Sequence, residues 1–177
     1  MNQRANRLAI IGGGAAGLTA AIAAGEQARS HGVPLDIVVF ERDDRVGRSI
    51  LATGNGRCNF SNHNIKFFHY HNHVFVGEAI GRIGLAPDDD AVHDFFARHG
   101  LAWREEPDGR QYPQANKASV VVDVLRASAA NAGAREACES EVAAIEAPRE
   151  PGKPFTLRMV DGVLDRKSTR LNSSHAR

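Results

Sequence analysis

Short unbroken apolar runs alternate with longer, one-sided ones along the first forty residues. Leu8-Ala9-Ile10-Ile11 is four apolar residues in a row, the pattern of a strand buried on both faces of a parallel sheet. Gly12-Gly13-Gly14-Ala15-Ala16-Gly17 follows at once. The stretch LTAAIAAGEQARS then puts Leu18, Ala21 and Ile22 on one helical face and stops before His31-Gly32. Val33-Pro34 breaks the chain, and residues 35–40 read as a second buried strand ending at Glu41. Strand, glycine turn, helix and strand make a βαβ unit.

The pattern weakens beyond residue 62, and FFHYHNHVFVGEAI fits neither period well enough to assign. Residues 88–99 predict a helix: Asp88 caps it, acids fill its first turn, Gly100 follows, and Val92, Phe95 and Phe96 form its apolar face. Residues 101–106 and Gln111-Tyr112 predict a hairpin around the turn Pro107-Asp108-Gly109. A further helix over 118–132 carries Val121, Val124 and Leu125 on one side and ends at Gly133. Short strands are expected over 134–139, 141–146 and 155–160, with a polar turn at 148–154. The whole reads as α/β: a Rossmann-like domain with a parallel sheet and a β-meander, incomplete, and interrupted by an irregular and helical segment.

Composition narrows the function classes. At 177 residues, 42% hydrophobic and 24% charged, the chain matches an ordinary globular domain. Its net charge of +1, with no basic run, gives no reason to expect nucleic acid or an anionic membrane as partner. No stretch approaches the roughly 20 apolar residues of a membrane helix, and the N-terminal run is too short for a signal peptide. Cys58 and Cys138 lie too far apart in sequence to suggest a disulfide framework, so a reduced, cytoplasmic compartment is expected.

From Asp165 the character changes. Asp165-Arg166-Lys167-Ser168-Thr169-Arg170-Leu171-Asn172-Ser173-Ser174-His175 is polar, follows neither period, and is what a common sequencing-library adapter encodes when translated. Residues 165–177 are therefore expected to be a non-native tail outside the fold, on a chain that is an N-terminal fragment. The expected organisation is 1–62 as the first part of the nucleotide-binding domain, 63–115 as an inserted segment, and 116–164 as the domain's continuation.

The glycines carry the first chemistry. In Gly12-x-Gly14-x-x-Gly17, Gly12 permits the tight turn, Gly14 lets backbone approach a pyrophosphate, and Gly17 lets helix and strand pack closely. The helix start, with Ala15 and Ala16, offers free N–H groups to that pyrophosphate. Glu41 closes the second strand, where a carboxylate can accept hydrogen bonds from ribose hydroxyls. Its charge disfavours a 2′-phosphate despite the neighbouring Arg42. FAD and NAD both stay open on these grounds.

GGGAAGLTAA, the strand ending Glu41-Arg42, Gly47-Arg48 and above all LATGNGRCNFSN closely resemble the aminoacetone-oxidase-like family of FAD-binding oxidoreductases. The likeness continues through Asp108-Gly109-Arg110-Gln111-Tyr112-Pro113 and Lys117-Ala118-Ser119-x-x-Val122-x-x-Leu125, and covers nearly all of residues 7–160. It implies that residues 51–62 form a flavin loop. Gly54 and Gly56 would admit the cofactor, Asn55 and Asn59 would offer amide hydrogen bonds, and Arg57 would supply positive charge. Cys58 would lie beside them, as a small buried filler rather than a redox thiol. Arg48 and Arg42 join the cofactor-binding set, as does Val142, at a position that contacts adenine through its backbone. Family members often carry Lys where this chain has Ser49; Arg48 could compensate.

The resemblance thus implies FAD as cofactor, NAD(P)H as a candidate electron donor, and a small organic substrate oxidised or reduced through the flavin. Two other readings compete: a non-catalytic nucleotide-binding fragment, and an NAD-dependent dehydrogenase of simple Rossmann type, which has no use for GNGRCN. No residue stands out as a general acid or base, though Lys117 is a candidate cation. His69-x-His71-x-His73 would share one side of a strand, yet nothing nearby completes a metal site, and a solvated loop is the expectation. Trp103, Phe95 and Phe96 are expected in the core.

Overall fold

The structure, a computed structural model, describes residues 6–82, 91–161 and 164–173. Its first half runs β1 (Asn6–Ile11), α1 (Ala15–Ser30), β2 (Leu35–Phe40), α2 (Arg48–Ala52), β3 (Ser61–Asn62), α3 (His73–Arg82) and α4 (Ala91–Arg98). Then come β4 (Trp103–Glu105), β5 (Arg110–Pro113), α5 (Ala118–Asn131), β6 (Ala134–Ala137), β7 (Val142–Glu146), β8 (Phe155–Met159) and β9 (Leu164–Ser173). Two compact units result, Met1–Ile50 with Leu125–Arg177, and Leu51–Val124.

The first unit is built on a six-stranded sheet in the order β6-β2-β1-β9-β8-β7. β1 and β2 pair in parallel from Asn6 with Leu35 to Ile11 with Phe40, and β6 adds in parallel beyond β2. The sheet turns antiparallel at β8 and β7, which form the meander. Alternate residues of the apolar strands serve opposite faces. Ala9, Val38, Phe40, Leu157 and Met159 form one buried cluster. Ile10, Ile37 and Val39 are buried as well, as are Leu18, Ala21 and Ile22 of α1. Each fully buried Ile or Leu contributes about 1.5–3 kcal/mol. Gly25 of α1 lies against the end of α5: a Cβ there would meet the Ala132 carbonyl oxygen at 2.1 Å.

The second unit holds a small antiparallel sheet, β3-β5-β4. The hairpin read around Pro107-Asp108-Gly109 is β4–β5, with Glu105 opposite Gln111. Phe60 gathers the aromatic residues, meeting Phe96 at 5.2 Å and Trp103 at 6.3 Å between centroids, while His93 stacks on Trp103 at 4.9 Å. Phe96 is buried, as expected, while Trp103 and Phe95 are half-buried.

Two differences from the sequence reading stand out. The unassigned FFHYHNHVFVGEAI contains a 3-10 turn at Phe67–His69 and helix α3, so His69, His71 and His73 do not alternate along a strand. Among the described residues no three His, Cys, Asp or Glu side chains are grouped to hold a metal ion. The polar tail, expected outside the fold, supplies β9 through Ser173, between β1 and β8. Asp88, read as the cap of α4, lies outside the described residues. Among those residues no helix is long and apolar enough to cross a membrane.

Candidate functional site

The glycine turn sits where β1 passes into α1, and each glycine answers a different demand. Gly12 has φ 98°, and its N–H donates to the Phe40 carbonyl at 2.8 Å, tying the turn to the end of β2. Gly13 is buried: a Cβ there would stand 2.4 Å from Val46 Cγ1. Gly17 leaves no room either, since its Cβ would meet the Gly12 carbonyl oxygen at 1.9 Å. Gly14 differs. Its backbone is extended (φ −78°, ψ −172°), a conformation open to any residue, and a Cβ would find only Ser49 Oγ, at 3.6 Å.

Helix α1 starts without a side-chain cap and without an acid in its first turn. Its first internal bond runs from Leu18 N–H to the Gly14 carbonyl. The N–H groups of Ala15, Ala16 and Gly17 therefore lack intrahelical partners, and the positive end of the helix dipole is left uncompensated. Ala15 and Ala16 are exposed.

Glu41 is held from two directions. Gly13 N–H donates to its Oε2 at 2.7 Å and Asp43 N–H to its Oε1 at 3.0 Å. Each carboxylate oxygen keeps a second lone pair, so a ribose hydroxyl can still donate there. Arg42 is exposed. Arg48 turns to Asp43, Nη1 to Oδ1 at 3.2 Å. Val142 opens β7 opposite Met159.

In the second unit, residues 53–59 form a tight left-handed loop. Gly54, Asn55, Gly56 and Cys58 all have positive φ, between 55° and 79°. Gly54 is needed for packing within the loop, because a Cβ would lie 2.6 Å from Asn59 N and 3.3 Å from Tyr112 Cε1. Gly56 faces open space and is glycine for its φ of 79°. Cys58 is 6% exposed, and burial pushes its thiol up, the Thr53 hydrogen bond pulling the other way. That is the chemistry of an inert filler.

Two side chains read from sequence as cofactor ligands are engaged by the loop's own surroundings. Arg57 donates to Glu106 Oε1 at 2.9 Å and to the Tyr112 hydroxyl at 3.2 Å, and its guanidinium lies 4.2 Å from the Tyr112 ring centre. Asn59, with its amide nitrogen facing the carbonyls, donates to Gln111 at 3.1 Å and to Ser61 at 2.8 Å. Both clamp the loop to β5. Lys117 is exposed just before α5.

Comparison with known proteins places the chain. Residues 6–165 match the HI0933-like protein Rossmann domain. The chain belongs to the HI0933-like family. It is 38% identical over 122 residues to the 3-dehydro-bile acid delta(4,6)-reductase of Clostridium scindens, covering 68% of this chain and 28% of that protein. It is 31% identical over 139 residues to the ribosomal RNA dihydrouridine synthase of Haemophilus influenzae, covering 77% of this chain and 32% of that protein. The chain thus spans about a third of the length of these curated relatives. Among solved structures, Thermovibrio ammonificans THI4 superposes with a TM-score of 0.57 at 15% identity, over 94% of this chain and 55% of that one, a likeness of fold.

The HI0933-like match ends at Asp165, where the adapter-like residues begin. Within it lies the Gly12–Gly17 turn. Neither strain nor packing calls for glycine at position 14. The uncapped start of α1 faces that same turn. Sequence reasoning did not weigh Gly13, whose added Cβ would clash with Val46; the run of three glycines was the available signal.

Proposed function

We propose that this chain is the FAD-binding part of a flavin-dependent oxidoreductase. One observation carries the reading: Gly14 is unstrained, has room for a Cβ, and stands beside helix N–H groups that no side chain of the described residues caps. Those donors and the dipole suit a pyrophosphate, and Glu41 suits the adenosine ribose. In the second unit, the Gly54–Asn59 loop is similar to a flavin loop, and Gly56 in it faces open space. There Arg57 serves first to brace the loop through Glu106 and Tyr112. When bound, the flavin supplies the hydride chemistry, and the protein supplies orientation and electrostatics.

The reaction class follows the relatives. One relative is named a delta(4,6)-reductase and another for making dihydrouridine, the reduced form of uridine. We carry reduction of an unsaturated carbon–carbon bond to this chain, with NAD(P)H as donor and a small organic molecule as substrate. The narrower likeness to aminoacetone-oxidase-like proteins rests on the GNGRCN loop. The near-neutral charge supports a small molecule over RNA. Titrating the purified chain with FAD and, separately, with NAD tests the reading. Quenching of flavin fluorescence with saturation is expected; binding of NAD without flavin would point to a simple Rossmann dehydrogenase instead.

A further inference from the structure

The segment after β2 folds back over the glycine turn. Val46 is buried against Gly13, and Gly47 N–H donates to the Gly13 carbonyl at 2.8 Å. These two contacts fix the positions of Arg48 and Ser49 beside the turn. Arg48, a cation that sequence offered for the cofactor, points to Asp43. Ser49 is the next residue, and its hydroxyl oxygen lies 3.6 Å from the Cβ position of Gly14. The Ser49 side chain is exposed. Whatever fills the space over Gly14 meets that hydroxyl.

We infer that Ser49, and not Arg48, completes the phosphate end of the dinucleotide site, donating its O–H to a phosphate oxygen held over Gly14. The inference rests on the reading of this turn as a dinucleotide site. A neutral hydroxyl in contact range suits this place, because it donates to an anion held there. Arg48 stays with Asp43, so the positive charge at the turn comes from the α1 dipole.

The test compares three probes, FAD, ADP and adenosine, against the chain and against Ser49→Ala and Ser49→Thr, with affinities read by calorimetry or by competition with FAD fluorescence. Ser49→Ala should weaken FAD and ADP by about tenfold, the loss expected for a hydrogen bond to a charged group. Adenosine, which has no phosphate, should bind both proteins alike. Ser49→Thr keeps the hydroxyl and should restore ADP binding. Equal ADP binding by wild type and Ser49→Ala, or an equal loss of adenosine, overturns the role of Ser49 while leaving the site intact. Failure of the wild-type chain to bind FAD or ADP overturns the dinucleotide site and this inference together. Thermal midpoints of the variants should match the wild type, because the side chain is exposed.

Discussion

Gly13 donates its backbone N–H to the Glu41 carboxylate at 2.7 Å, tying the middle of the glycine turn to the end of β2. Glu41 therefore has a structural duty besides any ribose it holds. Glu41→Ala would leave the N–H of a buried glycine without its acceptor, at a cost of about 1–3 kcal/mol. Glu41→Gln retains a carbonyl oxygen for that bond and should recover most of the stability. Urea midpoints and FAD titrations of the two variants separate the roles: both should bind FAD more weakly, while only Ala should be clearly less stable. A stable Glu41→Ala protein would show that the turn holds its shape without this bond.

Gly14 and Gly17 should respond oppositely to the same substitution. Gly17→Ala drives a methyl group into the Gly12 carbonyl, with a predicted cost of about 3 kcal/mol or more. Gly14→Ala adds its methyl in ordinary contact with Ser49 Oγ on an extended backbone, and should raise stability by about 0.5 kcal/mol through the unfolded chain. Yet it should lower FAD affinity at least about tenfold, because it occupies the approach to the turn. Thermal melts beside flavin titrations check both halves.

Arg57 should be sensitive to shape rather than to charge alone. Lysine cannot reproduce contacts to Glu106 and Tyr112 together with a planar stack on the ring. Arg57→Lys and Arg57→Ala are both expected to destabilise the second unit by about 1 kcal/mol, the pair being partly screened. Tyr112→Phe loses the hydroxyl and keeps the ring, so it should cost less. If Arg57→Lys proves neutral in a denaturant melt, the stack contributes nothing.

The βαβ unit was legible because its signals agree: unbroken apolar runs, glycines at fixed spacing, and an acid ending the second strand. The β4–β5 hairpin was legible from Pro107-Asp108-Gly109. What escaped lay where period gives no guidance. Helix α3 follows a run of aromatic and histidine residues that fits neither template, and Val74 and Phe75 on it are exposed, so no one-sided apolar stripe was there to read. β9 pairs with β1 and β8 through backbone hydrogen bonds, which any non-proline sequence can make. At the candidate site, the glycines and Glu41 were visible one at a time. The Gly13–Glu41 bond, the turning of Arg48 to Asp43 and the engagement of Arg57 depend on pairings that no local pattern encodes.

Acid should weaken the first unit through Asp36. This residue of β2 stands opposite Arg7 of β1, whose Nε meets its carboxylate at 2.5 Å, and Arg135 of β6 approaches from the other side at 3.5 Å. Burial alone would raise the Asp36 carboxyl; the hydrogen bond and charge of Arg7, joined by Arg135, outweigh it and hold the group below its ordinary value. A carboxylate depressed in the folded state stabilises that state above its unfolded pKa of about 3.9, and the contribution disappears as pH falls through the lower folded value. Asp36→Asn removes the titration. The stability difference between wild type and Asp36→Asn should thus be constant near neutrality and shrink below about pH 4. Urea midpoints of both proteins from neutral to acid pH measure it. Two curves that stay parallel into acid would mean that the arginines bind Asp36 no better when it is ionised.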